Sequence, residues 1–196
     1  MTTLLITPPS PYARKVRIVA REKGLRLEER VVDPYGSDPD LVAVHPLAQV
    51  PALLLDDGTG LIDSPLIARF LDEQGSGPSL YGEGMQRHGI AQHEALANGA
   101  LEMGVKWLLE KRRPESERSA HWMSRWHHNL LATLDRLEVL ARQDQAFHAG
   151  SLTTVVALTW LDFRHPDVDW RTTRPALEAL QGLLEARDSF RETRPA

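Results

Sequence analysis

Three short stretches of this 196-residue chain place polar side chains where a ligand could be held. In Pro8-Pro9-Ser10-Pro11-Tyr12-Ala13-Arg14-Lys15-Val16, a hydroxyl stands between the apolar run Thr2–Thr7 and the start of a helix. A helix start presents unpaired backbone N–H groups and the positive end of the helix dipole, so it stabilises an anion. Ser10 also reads as a plain N-cap with Pro11 at the first helical position. Taken alone, the stretch favours the cap. Leu61-Ile62-Asp63-Ser64-Pro65-Leu66-Ile67-Ala68 opens another helix, with Ser64 as cap and Pro65 at the first helical position. Capping accounts for that stretch too. The third is His45-Pro46-Leu47-Ala48-Gln49-Val50-Pro51-Ala52-Leu53.

The elements that must position these residues alternate through the first part of the chain. Thr2–Thr7 reads as a strand, and the span from Pro11 to Gly24 as a helix closed by its glycine. Leu25–Val32 alternates as a strand does. Asp38–Val44 is a short helix stopped by His45-Pro46. Val50–Leu55 and Gly60–Ile62 are apolar runs around the turn Asp56-Asp57-Gly58. Ser64–Glu73 is helical. The predicted order is β-α-β-α-β-β-α. Gln74–Gly84 (QGSGPSLYGEG) then supplies four glycines and a proline, a linker composition. Beyond Met85 only helical periodicity remains: roughly 85–113, 115–142, 152–163 and 175–187. The fold class is thus α/β plus all-α, with residues 1–76 as the first domain, 77–84 as linker and 85–196 as the second.

Composition narrows the chemistry. There are no cysteines, which excludes disulfides, thiolate metal sites and protein-thiol catalysis. Any thiol chemistry must use a ligand's thiol. Net charge is −4, concentrated in residues 1–84 with 8 basic and 12 acidic side chains. That balance argues against a nucleic-acid partner. Lys111-Arg112-Arg113 precedes Pro114 and suits the negative end of a helix dipole. There is no G-x-S-x-G and no Walker A sequence. Gly75-Ser76-Gly77 lacks a third glycine at Leu80, and His93-Glu94-Ala95-Leu96-Ala97 lacks the second histidine of a zinc-protease helix. The eight histidines form no ligand spacing, so no metal is expected. No apolar run reaches the ~20 residues of a membrane span. Met1–Ser10 lacks the basic start of a signal peptide, so a cytoplasmic location is expected.

In their order and spacing, the three stretches resemble the N-terminal domain of cytosolic glutathione S-transferases. There S-P-x-x-R-K-V opens the first helix, N-P-x-x-x-V-P carries a cis-proline, and [DE]-S-x-x-I opens the third helix. The likeness extends beyond the linker. Ala97-Asn98-Gly99-Ala100-Leu101-Glu102, Glu110-Lys111-Arg112-Arg113-Pro114, the segment Leu161 to Arg171, and Ser189-Phe190-Arg191-Glu192-Thr193-Arg194-Pro195 resemble a bacterial, serine-type branch of the family. The resemblance implies a thioredoxin-like first domain, a helical-bundle second domain, a homodimer and glutathione as co-substrate.

It also implies residue roles. The Ser10 hydroxyl would donate to the glutathione thiolate, with Arg14 either adding longer-range positive charge or lying on the helix surface. Val50, beside Gln49 and before a cis Pro51, would offer its backbone to the cysteinyl part. Asp63 would meet the γ-glutamyl ammonium and Ser64 its carboxylate. Tyr12, Glu102, Lys106 and Trp107 would line a pocket for a small hydrophobic electrophile between the domains. The expected activity is glutathione transfer. Other glutathione-dependent chemistry (lyase, dehalogenase, isomerase, peroxidase) or a non-catalytic binding role are the alternatives. The sequence departs from the family at His45, often Asn, and at Gln49, often Lys. Asn98 stands where Asp is common. Val156 replaces an Asp that usually caps a helix opening near Thr153, an expected loss of ~1 kcal/mol.

Overall fold

A computed structural model of the chain describes residues 2–36 and 38–196; Met1 and Ser37 lie outside the described residues. It divides into two compact units, Met1–Ser79 with Asp188–Ala196, and Leu80–Arg187.

The first unit has the expected element order: β1 Thr3–Ile6, α1 Pro11–Glu22, β2 Glu28–Val31, α2 Pro39–Val44, β3 Ala52–Leu54, β4 Gly60–Leu61 and α3 Ser64–Gln74. The strands form one sheet in the order β2-β1-β3-β4. β1 is parallel to β2 and antiparallel to β3, with Leu5 opposite Ala52. Leu4, Leu5 and Ile6 are all buried, as a central strand covered on both faces requires. Leu5, Val32, Leu41 and Ala52 form one core cluster, and Val44, Ala48, Val50 and Ile62 pack against it. Two of the three sequence stretches of interest therefore rest on the same apolar floor.

α1 packs against α3, and its Val16, Ile18, Val19 and Ala20 are buried. Its end is fixed by Lys23, whose Nζ lies 3.0 Å from Asp72 Oδ1 of α3, with both side chains buried. Nζ also donates to the carbonyls of Gly77 (3.3 Å) and Pro78 (3.0 Å). Gly24 follows at φ +68°, a conformation that glycine adopts without penalty.

The second unit contains α4 Gln86–Lys111, α5 Ala120–Gln143, α6 Ala149–Arg164 and α7 Pro175–Glu185. α6 is its core: every residue from Ala149 to Leu158 is buried. α4 and α6 approach closely at two glycines. A Cβ on Gly104 would lie 2.9 Å from Trp160, and one on Gly150 would lie 2.5 Å from His93. The helix expected from Glu115 begins instead at Ala120, after a 3-10 turn at Glu115–Glu117. Ser119 caps it, and Glu110 Oε1 accepts the Ser119 N–H at 2.7 Å.

The opening of α6 corrects the sequence expectation. The helix starts at Ala149, so Thr153 and Val156 are buried residues inside it. His148 Nδ1 accepts from the N–H groups of Gly150 (3.1 Å) and Ser151 (3.2 Å), and Ser151 Oγ accepts from His148 N–H at 3.0 Å. This reciprocal capping box satisfies the helix start without an aspartate.

The short helix α8, Asp188–Arg191, and the residues after it belong to the first unit, although the whole second unit precedes them in sequence.

Candidate functional site

Ser10 ends the loop after β1 in an extended conformation, φ −75° and ψ 120°. Its Oγ accepts the Ala13 N–H at 3.2 Å, and its carbonyl accepts the Arg14 N–H at 3.0 Å. The cap is therefore real. A serine hydroxyl has one proton besides its lone pairs, and capping uses only a lone pair. The cap and the donor role are compatible. The first turn of α1 carries no acidic side chain, although acidic residues are favoured at helix starts. It carries Arg14 and Lys15, which are 2% and 1% exposed. Arg14 is thus not a surface residue. Its Nη2 donates to the Phe190 carbonyl at 3.1 Å, and its guanidinium lies 5.6 Å from the Phe190 ring centroid. Tyr12 is half-buried on the same turn.

The His45–Ala48 segment turns back on itself through Ala48 N–H and the His45 carbonyl, 2.8 Å apart, with Ala48 at φ +51°. That left-handed conformation is disfavoured for a residue with a Cβ. Gln49 follows, exposed, and then Val50, half-buried. The Val50–Pro51 peptide is cis, as the resemblance implies.

At α3 the cap is Asp63, not Ser64. The Asp63 carboxylate accepts the Ser64 N–H, and Ser64 is the first helical residue with Pro65 second. Asp63 is ahead of the helix and free to extend from it, so it takes the capping geometry. Its own side chain is exposed. Ser64 is 1% exposed, and its Oγ has no hydrogen-bond partner. A buried orphan hydroxyl costs about 1–3 kcal/mol and marks a place where a ligand atom would be welcome.

His45 joins this corner. It is buried, and its Nδ1 also has no hydrogen-bond partner. Burial lowers its pKa, and the Asp63 charge partly opposes the shift. The imidazole is therefore kept neutral more than usual. In the sequence, His45 stands out only as a departure from a pattern; a histidine directly before proline at a helix end is the available signal.

The structure brings Ser10, Tyr12, Gln49, Val50, Asp63 and Ser64 into the first unit. Glu102 and Trp107 belong to the second. Glu102 is exposed on α4 and pairs with Lys106 at 2.6 Å. Trp107 is buried. It stacks on His165 with centroids 4.5 Å apart, lies 4.8 Å from His127, and carries Lys111 Nζ 3.8 Å above it. Both ring faces serve the packing of the second unit itself. Among the described residues, no group of three or more His, Asp or Glu side chains is placed to hold a metal ion.

The family described as glutathione S-transferase, N-terminal domain, matches residues 9–74. The chain is 28% identical over 191 residues to an uncharacterized GST-like protein of Escherichia coli, YibF, covering 95% of each. A glutathione transferase family member from Pseudomonas fluorescens, solved with bound glutathione, is 32% identical over the whole of both chains, with a TM-score of 0.93. The chain belongs to the glutathione S-transferase family. A glutathione S-transferase from Methylobacillus flagellatus with glutathione bound matches over the full length of both chains at 28% identity and a TM-score of 0.94. The first unit is accordingly the thioredoxin-like domain of this family's fold, and the second is its helical region.

Proposed function

We propose that this chain is a glutathione transferase that stabilises the glutathione thiolate for attack on a small hydrophobic electrophile. The observation that carries the reading is at the starts of α1 and α3. Each holds a serine whose hydroxyl proton is not spent on the protein: Ser10 uses only a lone pair to cap, and Ser64 Oγ has no partner. The two solved relatives named above each hold glutathione, a ligand with one thiol and two carboxylates.

The mechanism follows from electrostatics. A free thiol has a pKa near 8.5, so about 3% is thiolate at pH 7. Lowering the pKa by two units takes ~2.7 kcal/mol. A charge-assisted hydrogen bond from Ser10 and the positive start of α1 are of that size together. Ser10 acts as a donor to sulfur, not as a base. The Val50 backbone would pair with the cysteinyl unit, with Gln49 beside it. Asp63 would hold the γ-glutamyl ammonium, and Ser64 with its helix start the γ-glutamyl carboxylate. Of the residues expected on the electrophile side, Tyr12 of the first unit is kept in that role.

Calorimetric titration with glutathione tests the site, and turnover of an electrophile panel tests the activity. Micromolar binding with conjugation of an activated aryl halide or enone is expected. Absence of glutathione binding removes the reading. Binding with only isomerised, reduced or eliminated products replaces transfer by another glutathione-dependent reaction.

The same reading includes a homodimer, which is the commonest oligomer symmetry, in the cytoplasm. No described helix is long and apolar enough to cross a membrane. Sedimentation at micromolar concentration tests the assembly; a persistent 22.0 kDa species would show a monomer.

A further inference from the structure

We propose that residues 188–196 are a positioning element for the Ser10 turn, acting through Arg14. This inference rests on the role given to Ser10 above.

Arg14 links the two segments because it is tied at both ends. Its backbone N–H donates to the Ser10 carbonyl at 3.0 Å and closes the first turn of α1. Its side chain donates to the Phe190 carbonyl at 3.1 Å, with the guanidinium over the Phe190 ring. Both side chains are out of water: Arg14 is 2% exposed and Phe190 is 0%. Two further contacts bind the same segment to the far end of α1. Ser189 Oγ donates to Glu22 Oε1, and Arg21 Nε lies 3.3 Å from Glu192 Oε2. Thr193, fully buried, donates its hydroxyl to the Ser189 carbonyl at 2.7 Å and folds the segment onto itself.

A helix of four residues is not stable alone, so α8 owes its shape to the surface of α1. The benefit is mutual. The first turn of a helix frays readily, because its leading N–H groups lack intrahelical partners. Ser10 must hold its hydroxyl against a sulfur from that fraying turn. Small displacements matter there: a 1 Å misplacement costs on the order of 100-fold in rate. Seating Arg14 on Phe190 holds the turn through contacts that need no ligand. Arg14 and Phe190 are positioning residues in this scheme, and Ser10 remains the group that meets the thiolate.

The test uses the full-length protein and Phe190→Ala, with Phe190→Leu as the milder variant if the first fails to fold. Without ligand, amide hydrogen exchange at Ala13 and Arg14 is expected to accelerate tenfold or more, with β1 and α6 amides unchanged. With glutathione, ultraviolet titration is expected to show the bound thiol pKa raised by about one unit, while affinity changes less than threefold. Arg14→Lys, which keeps a cationic donor, is expected to restore most of the shift seen in Arg14→Met. Unchanged exchange at Ala13 and Arg14 overturns the proposal. So does acceleration spread evenly through the first unit, which would be a purely structural effect, and so does faster exchange with an unchanged thiol pKa. If the parent protein binds no glutathione, the functional reading fails, and the exchange measurement still decides whether the segment holds the turn.

Discussion

Asp63 caps the helix on which Ser64 stands, and so leaves the Ser64 hydroxyl buried with nothing to bond. The two residues divide one helix start between them: one carboxylate oxygen accepts from the backbone, and the hydroxyl is left without a partner. Leaving a buried hydroxyl unpaired costs about 1–3 kcal/mol.

Ser64→Ala exposes this division. Replacing a buried orphan hydroxyl by a methyl group is neutral or stabilising, so the melting temperature without ligand is expected to stay or rise. Glutathione affinity is expected to fall about tenfold, the equivalent of ~1.4 kcal/mol, a hydrogen bond to a charged group. Thermal melts and calorimetry together check it; a variant that melts earlier and binds unchanged contradicts the assignment.

Ser10 can be dissected in the same way. Ser10→Ala removes both the cap and the donor, so ~1 kcal/mol of stability and the depressed thiol pKa are expected to go together. Ser10→Asp keeps a good cap but offers an anion in place of an O–H. Its stability is expected to match the parent, while the pKa of bound glutathione rises to the free value or above. Denaturation curves beside ultraviolet titration of the thiolate separate the two functions.

The second unit is expected to weaken in mild acid. His148 caps α6 through an Nδ1 lone pair, which an imidazolium lacks. Burial lowers its pKa, with Asp144 partly opposing. His93, 5.3 Å away ring to ring, is lowered to about 4, first by burial and then by His148. A histidine whose folded pKa is depressed adds stability that is fully present above its unfolded pKa of ~6.5. That stability is lost as pH falls toward the folded value, about 4 for His93. Urea midpoints at pH 7.5, 6 and 5 are expected to fall in that order. His148→Asn, a cap that does not titrate, is expected to flatten the decline.

Gly150→Ala is expected to destabilise the second unit by ~1–3 kcal/mol, because the new methyl would lie 2.5 Å from His93 Cγ. A double variant with His93→Gly, which removes both Cγ and the Cβ that would lie 2.7 Å away, relieves that clash and is expected to recover part of the loss. Chemical denaturation of the single and double variants measures it; equal losses would show that the helices move apart instead.

The order of elements in the first unit is legible in the sequence because each carries its own punctuation. Ser10-Pro11 opens α1, Gly24 closes it, and Asp56-Asp57-Gly58 turns β3 into β4. The candidate site is legible for the same reason, since Ser10, Val50-Pro51 and Asp63-Ser64 all sit at such boundaries. What escapes is what depends on a choice between neighbours or on distance along the chain. Asp63 and Ser64 are both good caps, and only their geometry ranks them. His148 is not a usual capping residue, so the start of α6 is hidden until Ser151 is seen to answer it. Trp107 carries no mark that separates a pocket wall from a ring stacked between His165 and Lys111. The seat of Phe190 on Arg14 joins residues 176 positions apart, and no periodicity reports such a pairing.

That separation also sets an order of events during synthesis. Ribosomes add ~5–20 residues per second, so Arg14 leaves the peptidyl-transferase centre roughly 9–35 s before Phe190 is made. During that interval the sheet and α3 are available to α1, but its Phe190 seat is bare. The first unit acquires its last internal neighbour only after the entire helical unit has been translated.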